Sequence, residues 1–279
     1  MVNFLFWNIN GKPLENIISC IVRENDVDVV VLAECSVPDA DLVAALNSQR
    51  PRGYSLFPTM IKGIRICHRF SPDFVKQVTE NSASRLIACR IKLPLQTEVL
   101  LVAVHLPSKL RWSETDQASY CPVVAGCVKH AEALAGHSKT ILLGDFNMNP
   151  FEAGVINAFG LHATMARKIA ARGKRTVERN DYGFFYNPMW RHFGGASPHL
   201  LGTYYYSDSR PTAYFWNIFD QVLIRPELLP HFSDDDLAVL HTFDGRSLLT
   251  RFGIPDARLA SDHLPILFKM NLRAMECIA

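Results

Sequence analysis

Carboxylates, amides and imidazoles recur in this chain where long apolar runs stop. The first run ends in Trp7-Asn8-Ile9-Asn10-Gly11, and Glu34 closes the apolar run 29–33. Asn8 reads either as a turn residue ahead of a glycine or as a ligand-bearing amide. Glu34 either emerges into water at a sheet rim or serves a hard cation such as Mg²⁺, which takes one or two carboxylates together with waters and phosphate oxygens. The run 100–104 ends in His105, a structural histidine or a donor to a phosphate oxygen. The run 141–143 leads into Gly144-Asp145-Phe146-Asn147. If that strand continues for two residues, Asp145 and Asn147 share a face. An anionic carboxylate beside a neutral amide suits a phosphoryl centre: the acid orients a water and the amide stabilises charge without repelling phosphate.

Near the end of the chain stands Ser261-Asp262-His263. Neighbours on a strand point to opposite faces, so Asp262 cannot orient His263. The imidazole needs an acid from elsewhere, and Asp220, ahead of the run 221–224, is the candidate. Each position alone is unspecific. Jointly they describe apolar strands that deliver ligand and acid–base types at their ends.

The apolar runs predict strands over 2–7, 28–33, 54–57, 64–69, 86–92, 98–105, 139–144, 203–206, 219–224 and 265–270. Several are apolar throughout, as expected of strands buried on both faces. Helical spacing predicts helices over 13–25, 39–49 and about 115–135, the last with Val123, Val124, Cys127, Val128, Ala131 and Leu134 as its core stripe. Helical crossovers mixed with hairpins fit an α/β protein of two packed sheets covered by helices. Residues 162–200 carry no clear period. They read as an irregular insertion within one domain spanning 1–279.

Composition narrows the classes further. Of 279 residues, 48% are hydrophobic and 20% charged, and the net charge is +2, so no global field points to nucleic acid and a local basic surface would have to supply one. The cysteines at 20, 35, 67, 89, 121, 127 and 277 include no CxxC pair, which points to reduced thiols and away from a zinc cage. The chain has no signal-type leader and no apolar stretch of membrane-spanning length, so a soluble cytoplasmic protein is expected.

Taken together, WNING, LAEC, VAVHLPS, LLGDFNMNP, FDQVLI and SDHLPI resemble the endonuclease/exonuclease/phosphatase superfamily over roughly residues 3–271. The resemblance implies a four-layer αββα sandwich with two mixed sheets face to face. It implies Mg²⁺ or Mn²⁺ held by Asn8 and Glu34 with Asp262 near the same centre. It further implies Asp145 acting on the water, Asn147 on the scissile phosphate, His105 and His263 on phosphate oxygens, and Asp220 orienting His263. Two features depart from the pattern. Exonuclease III-like members carry a tyrosine in a YG-type motif, and neither Tyr54 nor Tyr120 has that context. The paired disulfides of DNase I are also missing.

Within this superfamily the expected activity is hydrolysis of DNA or RNA phosphodiesters. Phosphatase or phosphodiesterase action on a small or lipid phosphate is the second reading, and an inactive binding module of the same fold is the third. Residues 162–200 combine a basic run with Phe184, Phe185, Tyr186 and Trp190, which could track phosphates and stack bases or could be a solvated face beside core aromatics. Lys109, Arg111 and Trp112 follow His105. With Trp190, Trp216 and Asn217 they form the expected substrate-contacting set.

Overall fold

The computed structural model describes residues 1–48, 53–81, 83, 85–193, 201–207, 209, 211 and 213–273. Cys277 and the 194–200 part of the expected insertion lie outside the described residues. The first half of the chain forms β1 (Val2–Asn8), α1 (Glu15–Glu24), β2 (Val29–Ala33), α2 (Asp39–Asn47), β3 (Ser55–Phe57), β4 (Arg65–His68), β5 (Val75–Asn81), β6 (Leu86–Ile91), β7 (Val99–His105), α3 (Glu114–Ala135) and β8 (Thr140–Asp145). The second half forms α4 (Ala153–Ile156), β9 (Ala163–Thr164), α5 (Arg167–Ala170), β10 (Lys174–Val177), β11 (Asn180–Gly183) and β12 (Phe185–Tyr186). It continues through β13 (Tyr204–Tyr205), β14 (Trp216–Asn217), β15 (Asp220–Ile224), β16 (Leu237–Val239), β17 (Thr242–Phe243), β18 (Arg246–Ser247) and β19 (Ile266–Met270).

Two mixed sheets carry the fold. The first has six strands in the order β16-β19-β1-β2-β4-β3, with β1 and β2 parallel. The second has seven in the order β5-β6-β7-β8-β15-β12-β9, with β7 parallel to β8 and β9 parallel to β12. A parallel pair needs a crossover rather than a hairpin. Helix α1 supplies it between β1 and β2, and α3 supplies it between β7 and β8.

Alternation along the second sheet explains the layering. Val99, Leu101 and Ala103 of β7 join the core that contains β1, β2 and β19, while Leu100, Val102 and Val104 join the cluster that contains α3. Ile141 and Leu143 of β8 likewise face the first sheet, and Leu142 faces the helix side. One face therefore packs on the other sheet and the other on α3. On the first sheet, α1 and α2 bury Ile18, Ile21, Val22, Leu42 and Leu46. The architecture is the expected four-layer αββα sandwich.

Helix α3 begins with a reciprocal cap between Ser113 and Asp116 and ends at Gly136, whose φ of 77° closes the helix in the left-handed conformation. Its buried stripe is Gln117, Cys121, Val124, Val128 and Ala131. Val123 and Leu134, expected in that stripe, are exposed, because the buried residues fall at spacings of four and three about a slightly rotated axis.

Sequence reading misses β5, whose VKQVTEN sequence is mostly polar and half exposed on a sheet edge with an irregular register after Gln77. The expected irregular stretch instead adds β9 and β12 to the edge of the second sheet and extends a hairpin, β10–β11. Edge pairing of two-residue strands leaves no periodic signal. Among the described residues no helix is long and apolar enough to cross a membrane.

Of the described glycines, Gly144 leaves the least room for a side chain. A Cβ there would lie 1.9 Å from the Val104 backbone oxygen on the neighbouring strand. Backbone cannot yield as a side chain can, so Gly144→Ala is expected to cost about 3 kcal/mol through forced separation of β7 and β8. Urea unfolding checks this, and an unchanged midpoint would contradict it.

Candidate active site

The ends of β1, β2, β7 and β8, the start of β15 and the segment leading into β19 converge at one end of the sandwich. Their pairing makes this unavoidable. Asn8 aligns with Ala33 in the parallel β1–β2 pair, so the next residue, Glu34, follows directly beside it. His105 aligns with Asp145 in the parallel β7–β8 pair, and Asp220 aligns with Asp145 in the antiparallel β8–β15 pair.

Glu34 leaves β2 with a φ of 50°, in the left-handed region that costs a non-glycine residue about 1–2 kcal/mol. Bonds on both sides hold it there: Gly11 N donates to Glu34 O at 2.8 Å, and Cys35 N donates to Gly63 O at 2.9 Å. The turn swings the carboxylate back over the end of β1. Asn8, fully buried, donates its Nδ2 to Glu34 Oε1 at 3.1 Å and to Asp145 Oδ2 at 3.0 Å. Its Oδ1 accepts from Asn10 N at 3.0 Å. One amide thus clamps two carboxylates from different sheets.

His105 Nε2 lies 3.4 Å from Glu34 Oε1 and 3.9 Å from Asp145 Oδ2. Glu34, His105 and Asp145 each offer a ligand atom within 4.8 Å of the others, and so do Asp145, Asp220 and His263. Asp145 is 1% exposed, yet among the described residues no lysine or arginine pairs with it or with Glu34. A buried carboxylate is paired, protonated or metal-bound. The carboxylate oxygens of Glu34 and Asp145 suit a hard cation such as Mg²⁺ or Mn²⁺, so the acidic donors fit the expected metal, while the His105 imidazole is the less fitting ligand for it.

Asp220 Oδ2 lies 2.8 Å from His263 Nδ1, and both side chains are buried. Burial is the largest influence on each: it raises the Asp220 carboxyl and by itself would lower His263. Attraction to Asp220, with help from Asp145 and Asp262, overrides burial and lifts His263 well above the ordinary imidazole range. Both shifts favour a proton held on the pair, and Nε2 is the ring nitrogen not spent on Asp220. The backbone fixes its place: Trp7 Nε1 donates to His263 O at 2.8 Å, and the Ser261 hydroxyl, donating to Asn8 O at 2.7 Å, also accepts from His263 N at 3.2 Å.

Asp262 lies in a bend ahead of β19, not on a strand as expected, and its Oδ1 accepts from Asn10 Nδ2 at 2.9 Å. It is not among the ligand atoms grouped with Glu34. Asn147 arrives differently from the expectation. β8 ends at Asp145, and Asn147 takes a φ of 51°, so a turn rather than strand alternation places it. Asp145 Oδ1 accepts from Asn147 N at 2.8 Å, and Asn147 Nδ2 donates to Leu106 O at 3.0 Å. That second bond ties the loop after β8 to the loop after β7.

The expected substrate-contacting residues do not form one surface. Lys109 is committed to Glu152 at 2.5 Å and to Gln117 at 3.1 Å. Glu152 also accepts from Asn149 N at 2.8 Å, and Asn149 Nδ2 donates to Asn217 Oδ1 at 2.9 Å. Lys109 and Asn217 therefore sit at two ends of one internal network. Arg111 is exposed, Trp112 meets the edge of Tyr120 at 5.3 Å, and Trp216 meets Tyr205 at 5.6 Å. Trp190 packs between Phe151 and Phe193, whereas Phe184, Phe185 and Tyr186 are buried and cannot stack on an outside base.

Sequence reasoning missed Tyr204. Its backbone bridges to His263 and its ring centroid lies 4.6 Å from the imidazole. Burial, and then the charge of Asp262, pushes its phenol up to about 12, so it faces the site neutral. Nothing in local spacing marks it, because the contact spans 59 residues of sequence between positions 204 and 263. Tyr54 and Tyr120 are structural: their hydroxyls donate to Val27 O and Ala83 O.

No protein-family model and no curated protein matches the chain. Solved structures do. An endonuclease/exonuclease/phosphatase family protein from Leptotrichia buccalis C-1013-b superposes with a TM-score of 0.57 at 14% identity, over 97% of this chain and 99% of that one. D. rerio TDP2 complexed with a single-strand DNA product gives 0.55 at 18% identity, over 97% and 98%. An AP endonuclease from Archaeoglobus fulgidus gives 0.53 at 16%, over 98% and 100%. Over nearly its whole length, then, the chain shares the fold of these three structures.

Proposed function

We propose that this chain, as one catalytic domain spanning 1–279, is a divalent-metal-dependent phosphodiesterase that hydrolyses nucleic acid. One observation carries the reading. Glu34, His105, Asp145, Asp220 and His263 gather at one end of the sandwich, with two unneutralised carboxylates facing a hydrogen-bonded histidine. The single-strand DNA product in the D. rerio TDP2 structure supports nucleic acid as the substrate class. The thiols of Cys20, Cys35, Cys67, Cys89 and Cys121 are in keeping with a reducing, cytoplasmic setting.

Glu34 would hold Mg²⁺ or Mn²⁺, with Asn8 and Asp262 bordering the same space. The ion would supply charge neutralisation and Lewis acidity at a phosphate oxygen. The protein supplies the rest. Asp145, fixed by Asn8 and by the Asn147 amide, accepts the proton of the attacking water. His263, held charged by Asp220, donates from Nε2 to a non-bridging phosphate oxygen and stabilises the charge that develops there. His105 lies where it binds a second phosphate oxygen, and Asn147 adds a neutral donor. Asp220 touches no substrate and works through His263.

Three outcomes test this reading. With a panel of DNA, RNA and small phosphoesters, cleavage is expected with Mg²⁺ or Mn²⁺ and none in EDTA. Release of phosphate from small esters with every polynucleotide intact would replace the nuclease reading by a phosphatase one. Asp145→Ala and His263→Ala are each expected to cut kcat by roughly a hundred- to ten-thousand-fold while circular dichroism stays native. Full activity in either variant rejects the assignment. Finally, NMR titration of His263 in metal-free protein should give an elevated imidazole pKa that falls in Asp220→Asn, where only Asp145 and Asp262 are left to oppose burial. The sign follows from the raised value. The stabilisation from this pair is complete below the ordinary imidazole range and is lost as pH rises through the elevated pKa, so Asp220→Asn should matter least to stability at strongly alkaline pH.

A further inference from the structure

Between β16 and β19 the chain makes an excursion, residues 240–260, that the catalytic arrangement does not use. It holds the β17–β18 hairpin and a second turn closed by Thr250 N donating to Ile254 O at 2.8 Å and Gly253 N donating to Thr250 O at 2.9 Å. The φ of 75° at Gly253 closes that turn. Between the two turns runs a shallow groove lined by His241, Ser247, Leu249, Thr250, Arg251 and Phe252.

We propose that this groove is an auxiliary nucleic-acid contact, which grips the substrate strand beyond the catalytic centre through its phosphates and one stacked base. The proposal rests on the nucleic-acid reading above.

The charge pattern favours a polyanion. Arg246, Arg251 and Arg258 are all exposed, and among the described residues none has a carboxylate partner. Acids share the excursion: Asp244 is exposed in the β17–β18 turn, where its N–H donates to Glu24 Oε1 at 2.7 Å, and Asp256 spends its Oδ1 on the backbone N–H groups of Arg258 and Leu259. Lys12 adds a further cation: its Nζ donates to the carbonyls of Ala257 and Ala260 and, among the described residues, meets no acid. In a chain of net charge +2, such a run of unpaired cations is a local feature.

The aromatic group is equally suited. Phe252 is 74% exposed, and the Arg251 guanidinium lies 4.7 Å from its ring centroid. The Phe252 amide donates to Thr250 Oγ1 at 3.2 Å, so the ring stands on a hydrogen-bonded turn. An exposed ring beside a guanidinium is a stacking platform that takes any base.

The groove is joined to the site. Asp256 N donates to Leu248 O, and Ala260 N donates to Asp256 O, both at 2.8 Å, which fixes the path from the groove to Ser261-Asp262. The six residue steps from Asp256 to Asp262 span at most about 22 Å. At 3.4 Å of rise per nucleotide that is about six nucleotides. A strand of about 20 nucleotides seated at the centre is therefore long enough to reach the groove, and one of about 4 nucleotides has fewer phosphates to offer it.

This length dependence gives the test. Fluorescence anisotropy in EDTA, with labelled single-stranded DNA of about 20 and about 4 nucleotides, would compare wild type with Arg246→Ala/Arg251→Ala and with Phe252→Ser. The expected result is about tenfold weaker binding of the long strand, a salt slope shallower by about one per arginine removed, and a smaller loss with the short strand. Metal-dependent turnover of bis(p-nitrophenyl) phosphate should also be unchanged, because no substituted residue belongs to the catalytic group. Equal long-strand affinity and equal salt slope in all proteins would overturn the groove contact and leave the catalytic reading standing. Weaker binding by the variants only to anionic phosphatidylserine vesicles would overturn it in favour of a membrane surface. If wild type neither binds nor cleaves any polynucleotide, the nucleic-acid reading falls and takes the groove contact with it.

Discussion

Asp145 and Asp220 stand directly opposite each other on adjacent strands, and both are shut off from water. Like charges in that relation repel, and burial makes the repulsion worse. Much of the local structure answers this one constraint. Asn8 reaches across from the other sheet to donate to Asp145, the Asn147 turn brings a backbone N–H to its second oxygen, and His263 carries a proton to Asp220. Each donor comes from a different stretch of chain, so the aspartate pair holds the ends of β1, β8 and β15 and the approach to β19 in one arrangement.

A second layer of bonds keeps the loops from drifting. Gln117 on α3 donates to Pro107 O and Asn147 O, and Lys109, Glu152, Asn149 and Asn217 continue the chain of contacts to β14. Asn217 and Lys109 stand near the centre, yet they are spent on joining loops. Orientation of catalytic groups depends on such supporting shells as much as on the groups themselves.

The elements that could be read in the sequence are those buried on both faces. β1, β2, β7, β8, β15 and β19 are continuous apolar runs, and a polar residue at the end of such a run is conspicuous. Asn8, Glu34, His105, Asp145, Asp220 and His263 were legible for that reason, and the need of His263 for a distant acid was expected from strand alternation, although a bend holds Asp262. Four things were not legible. β5 is polar and lies on an edge, and β9 to β12 pair through two-residue strands and a hairpin. Asn147 is placed by a left-handed turn that alternation cannot foresee. Tyr204 meets His263 only through tertiary pairing. The basic run at 167–179 also misled, because its neighbouring aromatics, Phe184 to Tyr186, complete the edge of the second sheet and are buried there.

The Asn8 clamp has a consequence for how the molecule tolerates change. Asn8 and Glu34 belong to the first sheet, and His105, Asp145 and Asp220 to the second. The opening between the two groups of ligands is therefore the thickness of the hydrophobic layer between the sheets, seen end-on. Packed sheets lie about 10 Å apart, and side-chain volume sets that spacing. The centre works as a caliper closed on the core. A methylene added or removed at Phe4, Leu101 or Leu143, fully buried in the core, alters the bite of the jaws, so the spacing of the two ligand groups becomes a readout of packing alongside stability.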